Sequence, residues 1–182
     1  VVEEIREKQL QVDVLINNAG FGLLGKFDEL NVEKQLEMIQ LNISALTELT
    51  HAFLPEMKKR KSGKIMNVAS TAAFQPGPMM AVYYATKAYV LSFSEALVEE
   101  LVSTGVSVTT LCPGATKTNF GSVANVEKTK MFSKAMDAST VASLGYIGMQ
   151  KGKRVVITGS TNKVGAAAAK FLPRSTAAKI AK

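Results

Sequence analysis

The sequence has one cysteine, Cys112, and one histidine, His51. A single thiol excludes a disulfide framework within the chain, and no cluster of cysteines and histidines offers a set of metal ligands. The expectation is therefore a reducing, cytoplasmic setting. No apolar run approaches the roughly 20 residues that cross a bilayer, and no leader-like segment of charged, apolar and small residues opens the sequence, so a soluble chain is expected. Internal repeats and low-complexity tracts are missing too, which excludes a solenoid or a linker-like chain. Acidic residues are missing from one region only: residues 151–182 hold eight Lys or Arg and no Asp or Glu. The net charge of +7 comes from that region, because the first 150 residues hold 14 basic and 15 acidic side chains. A body so nearly neutral argues against nucleic acid as a partner. The basic tail, at about 163–182, suits an anionic membrane face, although a solvated terminus is the plainer reading.

What is there is 182 residues, 47% of them hydrophobic and 20% charged, enough for one domain with a real core. Apolar runs closed by turn residues alternate with helical patterns. "VDVLINN" (12–18) reads as a short buried strand. Asn31 is placed to cap a long helix reaching about Arg60, with Leu36, Ile39, Ile43, Leu46, Leu49 and Phe53 at helical spacing. "KIMNVAS" (64–70) is a second strand, followed by a helix from about Met79 to Ser103. "VSVTTLC" (106–112) is a third strand, and residues 119–137 have little periodicity and suit a mobile lid. A helix near Ser139–Gln150 and the strand "RVVIT" (154–158) follow. Strands joined by helices of this length imply a parallel α/β sheet of the doubly wound, Rossmann type. Ligands of such sheets bind beyond the carboxyl ends of the strands, which here read "NNAG", "VAS", "CPG" and "TGS".

Tyr83 and Lys87 stand four apart in "YYATK", one turn apart on one helix face. A neighbouring ammonium favours the phenolate, so Lys87 is expected to pull the pKa of Tyr83 down toward a useful acid or base. Taken alone, such a pair is more often an ordinary helix surface. Two further residues change that balance. Ser70 ends the preceding strand at the same edge, and Asn42 sits in mid-helix against its propensity, which suggests a hydrogen-bonding role. His51 reads as a plain helix residue and Cys112 as a small buried hydrophobe. Met79, Met80, Phe74 and Phe120 suit an apolar substrate pocket or simple packing equally.

"NNAG" (17–20), "LN" (41–42), "VAS" with Ser70, "YYATK" (83–87) and "CPGATKT" (112–118) resemble the ordered motif set of the short-chain dehydrogenase/reductase family, over about residues 5–160. The resemblance implies an oxidoreductase that interconverts a carbonyl and a secondary alcohol with NAD or NADP. It implies that Tyr83 exchanges the proton, that Lys87 lowers the phenol's pKa and holds the nicotinamide ribose, that Ser70 polarises the carbonyl, and that Asn42 holds a relay water. Asn17, Ala19 and Gly20 would run beside the adenosine ribose, and Pro113, Gly114 and Thr118 would pass the nicotinamide. A small carbonyl or alcohol substrate and a homo-oligomer are the implied partners. Members of this family begin with a strand and a TGxxxGxG turn, on the order of 70 residues ahead of "NNAG". Here "VVEEIREKQLQ" reads as the last turns of a helix, so a preceding segment is expected to be missing. The stretch 158–165 fits that turn only in part, with Lys163 where the middle glycine belongs, and is expected to be the last edge strand and its continuation. The alternative to an enzyme is an inactive fragment that serves only as an assembly module, pairing through the "VDVLINN" edge.

Overall fold

The computed structural model describes residues 1–124, 126, 132 and 135–181. In chain order the elements begin with α1 (Val2–Glu7), β1 (Val14–Asn17) and α2 (Val32–Ile39), then a π-helical stretch Gln40–Ala45 that runs straight into α3 (Leu46–Arg60). Next come β2 (Gly63–Val68), a 3₁₀ turn Thr71–Phe74, α4 (Ala81–Glu100), β3 (Val106–Cys112), β4 (Thr116–Lys117) and α5 (Phe120–Val123). β5 (Met136–Asp137), α6 (Ala138–Gln150), β6 (Val155–Ile157), α7 (Ser160–Phe171) and α8 (Arg174–Ile180) complete the chain. The central sheet is parallel throughout, in the order β1-β2-β3-β6. Parallel neighbours need long crossovers, and the helices between the strands supply them.

Local chemistry sets the boundaries. Asn31 caps α2 as expected, its side chain accepting from the Lys34 amide at 2.8 Å and satisfying one orphan donor of the first turn. The helix ends at Lys61, in the left-handed conformation, just before β2. β3 follows Gly105, whose φ is +80° and where an added Cβ would lie 2.0 Å from the Lys61 carbonyl oxygen. Only glycine fits there, so two strand entries are locked side by side.

β3 is rich in Val and Thr and buried over almost its whole length, as a central parallel strand should be. Leu15, Ile65, Val106 and Val108 pack with Met57 of α3, Leu97 of α4 and Leu101 just beyond it on one face. Met66 and Leu111 pack with Val141 and Met149 of α6 on the other. β1 departs from the expected buried strand: Leu15 and Asn17 are buried, but Val14 is 40% exposed and Ile16 47%. The cause is that α6 covers β2 and β3 on that face, and β1 is the sheet's edge.

The stretch beginning at Arg154 is the last strand. Val155, Val156 and Ile157 register against Thr110, Leu111 and Cys112, as the edge-strand reading expects. The basic tail forms α7 and α8. Of the expected 119–137 lid, residues 119–124, 126, 132 and 135–137 are described, and the rest lies outside the described residues. No described helix is long and apolar enough to cross a membrane.

Candidate active site

A cleft of about 1590 Å³ opens beyond the carboxyl ends of the strands. Ser70, Tyr83, Lys87, Gly20, Pro113, Gly114 and Thr118 line it. Tyr83 and Lys87 come from α4, Ser70 from the turn after β2, and the Pro113–Thr118 run from the turn after β3. The helical spacing in "YYATK" puts the lysine beside the phenol ring, with Nζ 5.9 Å from the ring centroid.

Lys87 is only 5% exposed, and its Nζ donates to the Val68 carbonyl at 2.8 Å. Burial lowers its pKa to about 8, against a smaller opposing effect from Cys112. Tyr83 sits among Met38, Ala72 and Met80, with the Phe120 ring centroid 5.3 Å away. The expectation that Lys87 pulls the phenol's pKa down is corrected here. Burial pushes Tyr83 up to about 12, a hydrogen bond with Ser70 opposes that shift, and the neighbouring Tyr84 adds to it. Desolvation is the largest effect on both groups: it holds the phenol protonated and drives the lysine toward its neutral form.

Ser70 caps the 3₁₀ turn, its hydroxyl accepting from the Ala72 amide at 3.1 Å and donating to the Pro113 carbonyl at 3.5 Å. Backbone bonds from Ala69 N to Leu111 O at 2.8 Å and from Thr71 N to Pro113 O at 2.9 Å tie the two strand ends together. The Ser70 loop and the Pro113–Gly114 turn are thus joined by three hydrogen bonds.

Asn42 does not line the cleft; it braces it from behind. The helix widens to a π turn at this residue, a distortion often found at functional sites. The side chain is 1% exposed. Its Oδ1 accepts from Phe21 N at 3.1 Å, while Nδ2 donates to Phe21 O at 3.0 Å and to Thr86 Oγ1 at 3.0 Å. Thr86 in turn donates to the Tyr83 carbonyl at 2.7 Å. One amide therefore joins the loop after β1 to the Tyr83 turn of α4. Thr86 was not singled out from sequence, because a threonine inside a helix reads as face-filling. Its place between the tyrosine and the lysine was the available signal.

The remaining candidates divide. Gly20 lies where a Cβ would meet Asn42 Oδ1 at 2.8 Å and Lys87 Nζ at 3.4 Å, so glycine keeps the floor of the cleft clear. Thr118 Oγ1 accepts from Phe120 N at 3.2 Å. Asn17 lies away from the cleft: its Nδ2 donates to Thr50 Oγ1 at 3.1 Å and to Asn67 Oδ1 at 2.8 Å, and Asn67 donates to Ser94 Oγ at 2.8 Å. This buried amide ladder pins β1 and β2 to α3 and α4. Ala19 is exposed and is not among the cleft walls, whereas Asn18 is. Of the proposed pocket apolars, Phe74, Met80 and Phe120 line the cleft, while Met79 is 40% exposed and does not. Sequence reasoning also missed Asn162 of α7. Its Nδ2 donates to Thr158 O at 2.7 Å, and it sits so close to Gly114 that a Cβ there would lie 2.3 Å from that nitrogen. His51 is exposed on α3 and Cys112 is fully buried.

Comparisons with known proteins bear on the family and the fold. The family model for short chain dehydrogenase matches residues 1–129. An uncharacterized oxidoreductase of Staphylococcus epidermidis is 40% identical over 107 residues, which are 59% of this chain and 46% of that protein. The ketoacyl reductase HetN of Nostoc is 37% identical over 114 residues, 63% of this chain and 40% of that one. The chain spans about half the length of the curated relatives it matches. A short-chain dehydrogenase from Sphingobium yanoikuyae, solved in complex with NADPH, superposes with a TM-score of 0.78 at 27% identity, covering 98% of this chain and 73% of that one. A second, from Streptomyces avermitilis, superposes at 0.79 with 23% identity over 92% of this chain and 67% of that one, and shares the fold. With the family model matched over most of its length and the same parallel sheet behind the cleft, the chain belongs to the short-chain dehydrogenase family.

Proposed function

We propose that this chain carries the catalytic groups of an oxidoreductase that interconverts a carbonyl and a secondary alcohol by hydride exchange with NAD(H) or NADP(H). The observation that carries the reading is the buried Tyr83–Lys87 pair, one helical turn apart, opening with Ser70 onto a cleft at the strand ends. The relatives are named as oxidoreductases, which favours this reading over an assembly module.

The residues present fit the nicotinamide end of such a cofactor. Lys87 is a buried ammonium with three donors, one of them on Val68 O. Gly20 leaves open the space beside it, and the Pro113–Thr118 turn forms the adjoining wall. Among the described residues no glycine-rich turn abuts β1 to cradle a pyrophosphate. The cofactor supplies or accepts the hydride; the chain's own groups do the rest. Tyr83 Oη holds the proton that passes to the substrate oxygen, and a phenol with its pKa near 12 is fully protonated at neutral pH, ready to act as the acid of a reduction. Ser70 Oγ offers a second hydrogen bond to that oxygen. Lys87, with its pKa near 8, exchanges a proton readily close to neutrality and is the group through which the phenol is reprotonated. Phe74, Met80 and Phe120 give the cleft apolar walls near these groups. Asn42 holds Phe21 and the Tyr83 turn in register.

On this reading residues 1–182 make up one partial Rossmann-type domain with a basic tail. A homo-oligomer, supported by the exposed Leu144 and Ile147 on α6, is its working form. The test is titration of NADPH fluorescence by the purified chain and by its Lys87→Met variant. Binding that weakens at least tenfold in the variant supports the assignment. Binding unchanged by the loss of Lys87 overturns it.

A further inference from the structure

The C-terminal helices lie beyond the family-matched segment and present a surface that the catalytic reading leaves unused. Val164 and Phe171 are seven residues apart on α7 and so share one stripe of that helix. They are 70% and 88% exposed, and Ile180 at the end of α8 is 70% exposed. Lys163 and Lys170 form a second stripe one residue round, and Arg174 and Lys179 continue the basic character along α8. Ala166 and Ala177 are buried and anchor the two helices to the body. Val164 and Phe171 thus put two large, exposed apolar side chains on one stripe of α7, bordered by the cations of the next stripe.

We propose that α7 and α8 form a docking surface for an anionic phospholipid bilayer, with Phe171, Val164 and Ile180 entering the headgroup boundary and the lysines and arginine meeting the lipid phosphates. Charge decides the occupant. The two helices carry Lys163, Lys170, Arg174 and Lys179 and no acid, so the surface complements a negative sheet and not another copy of itself. The nearby acids are on α4: Glu95 shares a shallow groove with Lys163 and Lys170, and Glu99 is already paired with Arg154. Arg174 and Lys179 lie beyond that groove. Two helices of 12 and 7 residues lie in an interface and do not span it. Another face of α7, with Asn162, Gly165, Ala166 and Ala169, lines the active-site cleft, so a docked enzyme would hold that cleft beside the lipid.

The test is co-sedimentation of the 182-residue chain with vesicles of phosphatidylcholine alone and with vesicles containing about a third phosphatidylglycerol. The expected result is binding at least about tenfold stronger to the anionic vesicles, falling steeply in about 0.5 M sodium chloride. A Phe171→Ser/Ile180→Ser variant and an Arg174→Gln/Lys179→Gln variant should each lose most of it with unchanged circular dichroism, since these side chains are exposed. Equal binding of the wild type and both variants to anionic vesicles overturns the proposal, as does no binding at all. Self-association in lipid-free buffer that Phe171→Ser/Ile180→Ser abolishes, seen by sedimentation velocity, also overturns it, since the face would then be a contact between chains.

Discussion

Lys87→Met should stabilise the cofactor-free chain at neutral pH, and the size of the effect follows from the lysine's surroundings. The ammonium is buried, and its pKa falls from 10.5 to about 8. At about 1.4 kcal/mol for each factor of ten, keeping it charged in the fold costs about 3 kcal/mol near pH 7. The sign follows from proton linkage: between pH 8 and 10.5 the unfolded lysine binds more protons than the folded one, so this cost fades and wild-type stability rises with pH. It should be about 2 kcal/mol near pH 9 and about 1 kcal/mol near pH 10. Methionine is close in length and apolar, and it leaves the Val68 carbonyl without its donor, a loss of about 1 kcal/mol that does not depend on pH. The variant should therefore exceed wild type by about 2 kcal/mol near pH 7, with the advantage gone near pH 10. Urea unfolding of both proteins across that range, followed by circular dichroism, measures it. A difference that stays constant with pH, or a wild type that is the more stable at pH 7, would refute the claim that a buried ammonium is held at this site against its solvation.

Asn42→Ala removes three hydrogen bonds and strands both polar groups of Phe21; urea unfolding should show a loss of about 2–4 kcal/mol. Gly105→Ala forces a side chain into a left-handed turn and onto the Lys61 carbonyl, and the melting temperature should drop by the equivalent of about 3 kcal/mol or more. Burial pushes the Cys112 thiol up to about 12, so a disulfide reagent near pH 8 should modify the native chain at least about a hundredfold more slowly than the urea-unfolded chain. Rapid native labelling would place that thiol in solvent. Tyr83, raised from 10 to about 12, lends stability that is whole below pH 10 and lost as pH rises through 12. Tyr83→Phe should flatten that part of the stability profile relative to wild type.

The fold was legible where a local pattern and a global demand coincide. Asn31 and the apolar runs at 64–70 and 106–112 each encode their own punctuation, and strands separated by long helices admit a parallel sheet. The open face of β1, with Val14 and Ile16, was harder to read. "VDVLINN" is apolar on both faces, and a chain carries no mark of which face its neighbours leave open. Similarly, the "YYATK" spacing showed that Tyr83 and Lys87 share a face, yet not how deeply that face is buried. Depth decides the pKa, so the direction for Tyr83 was misjudged. Thr86 and Asn162 act through partners 44 and 48 residues away, Asn42 and Gly114, and pairings across such distances leave no trace in a local window. Asn42 was visible because an amide in an apolar helix violates propensity, and the π turn is the structural form of that violation.

The most direct test of the account is the steady-state rate of carbonyl reduction by the enzyme carrying Tyr83→Phe. The account predicts a fall in kcat of about a hundredfold or more with NADPH affinity nearly unchanged, because the proton donor is gone and the cleft is not. A variant that keeps its wild-type kcat would contradict it.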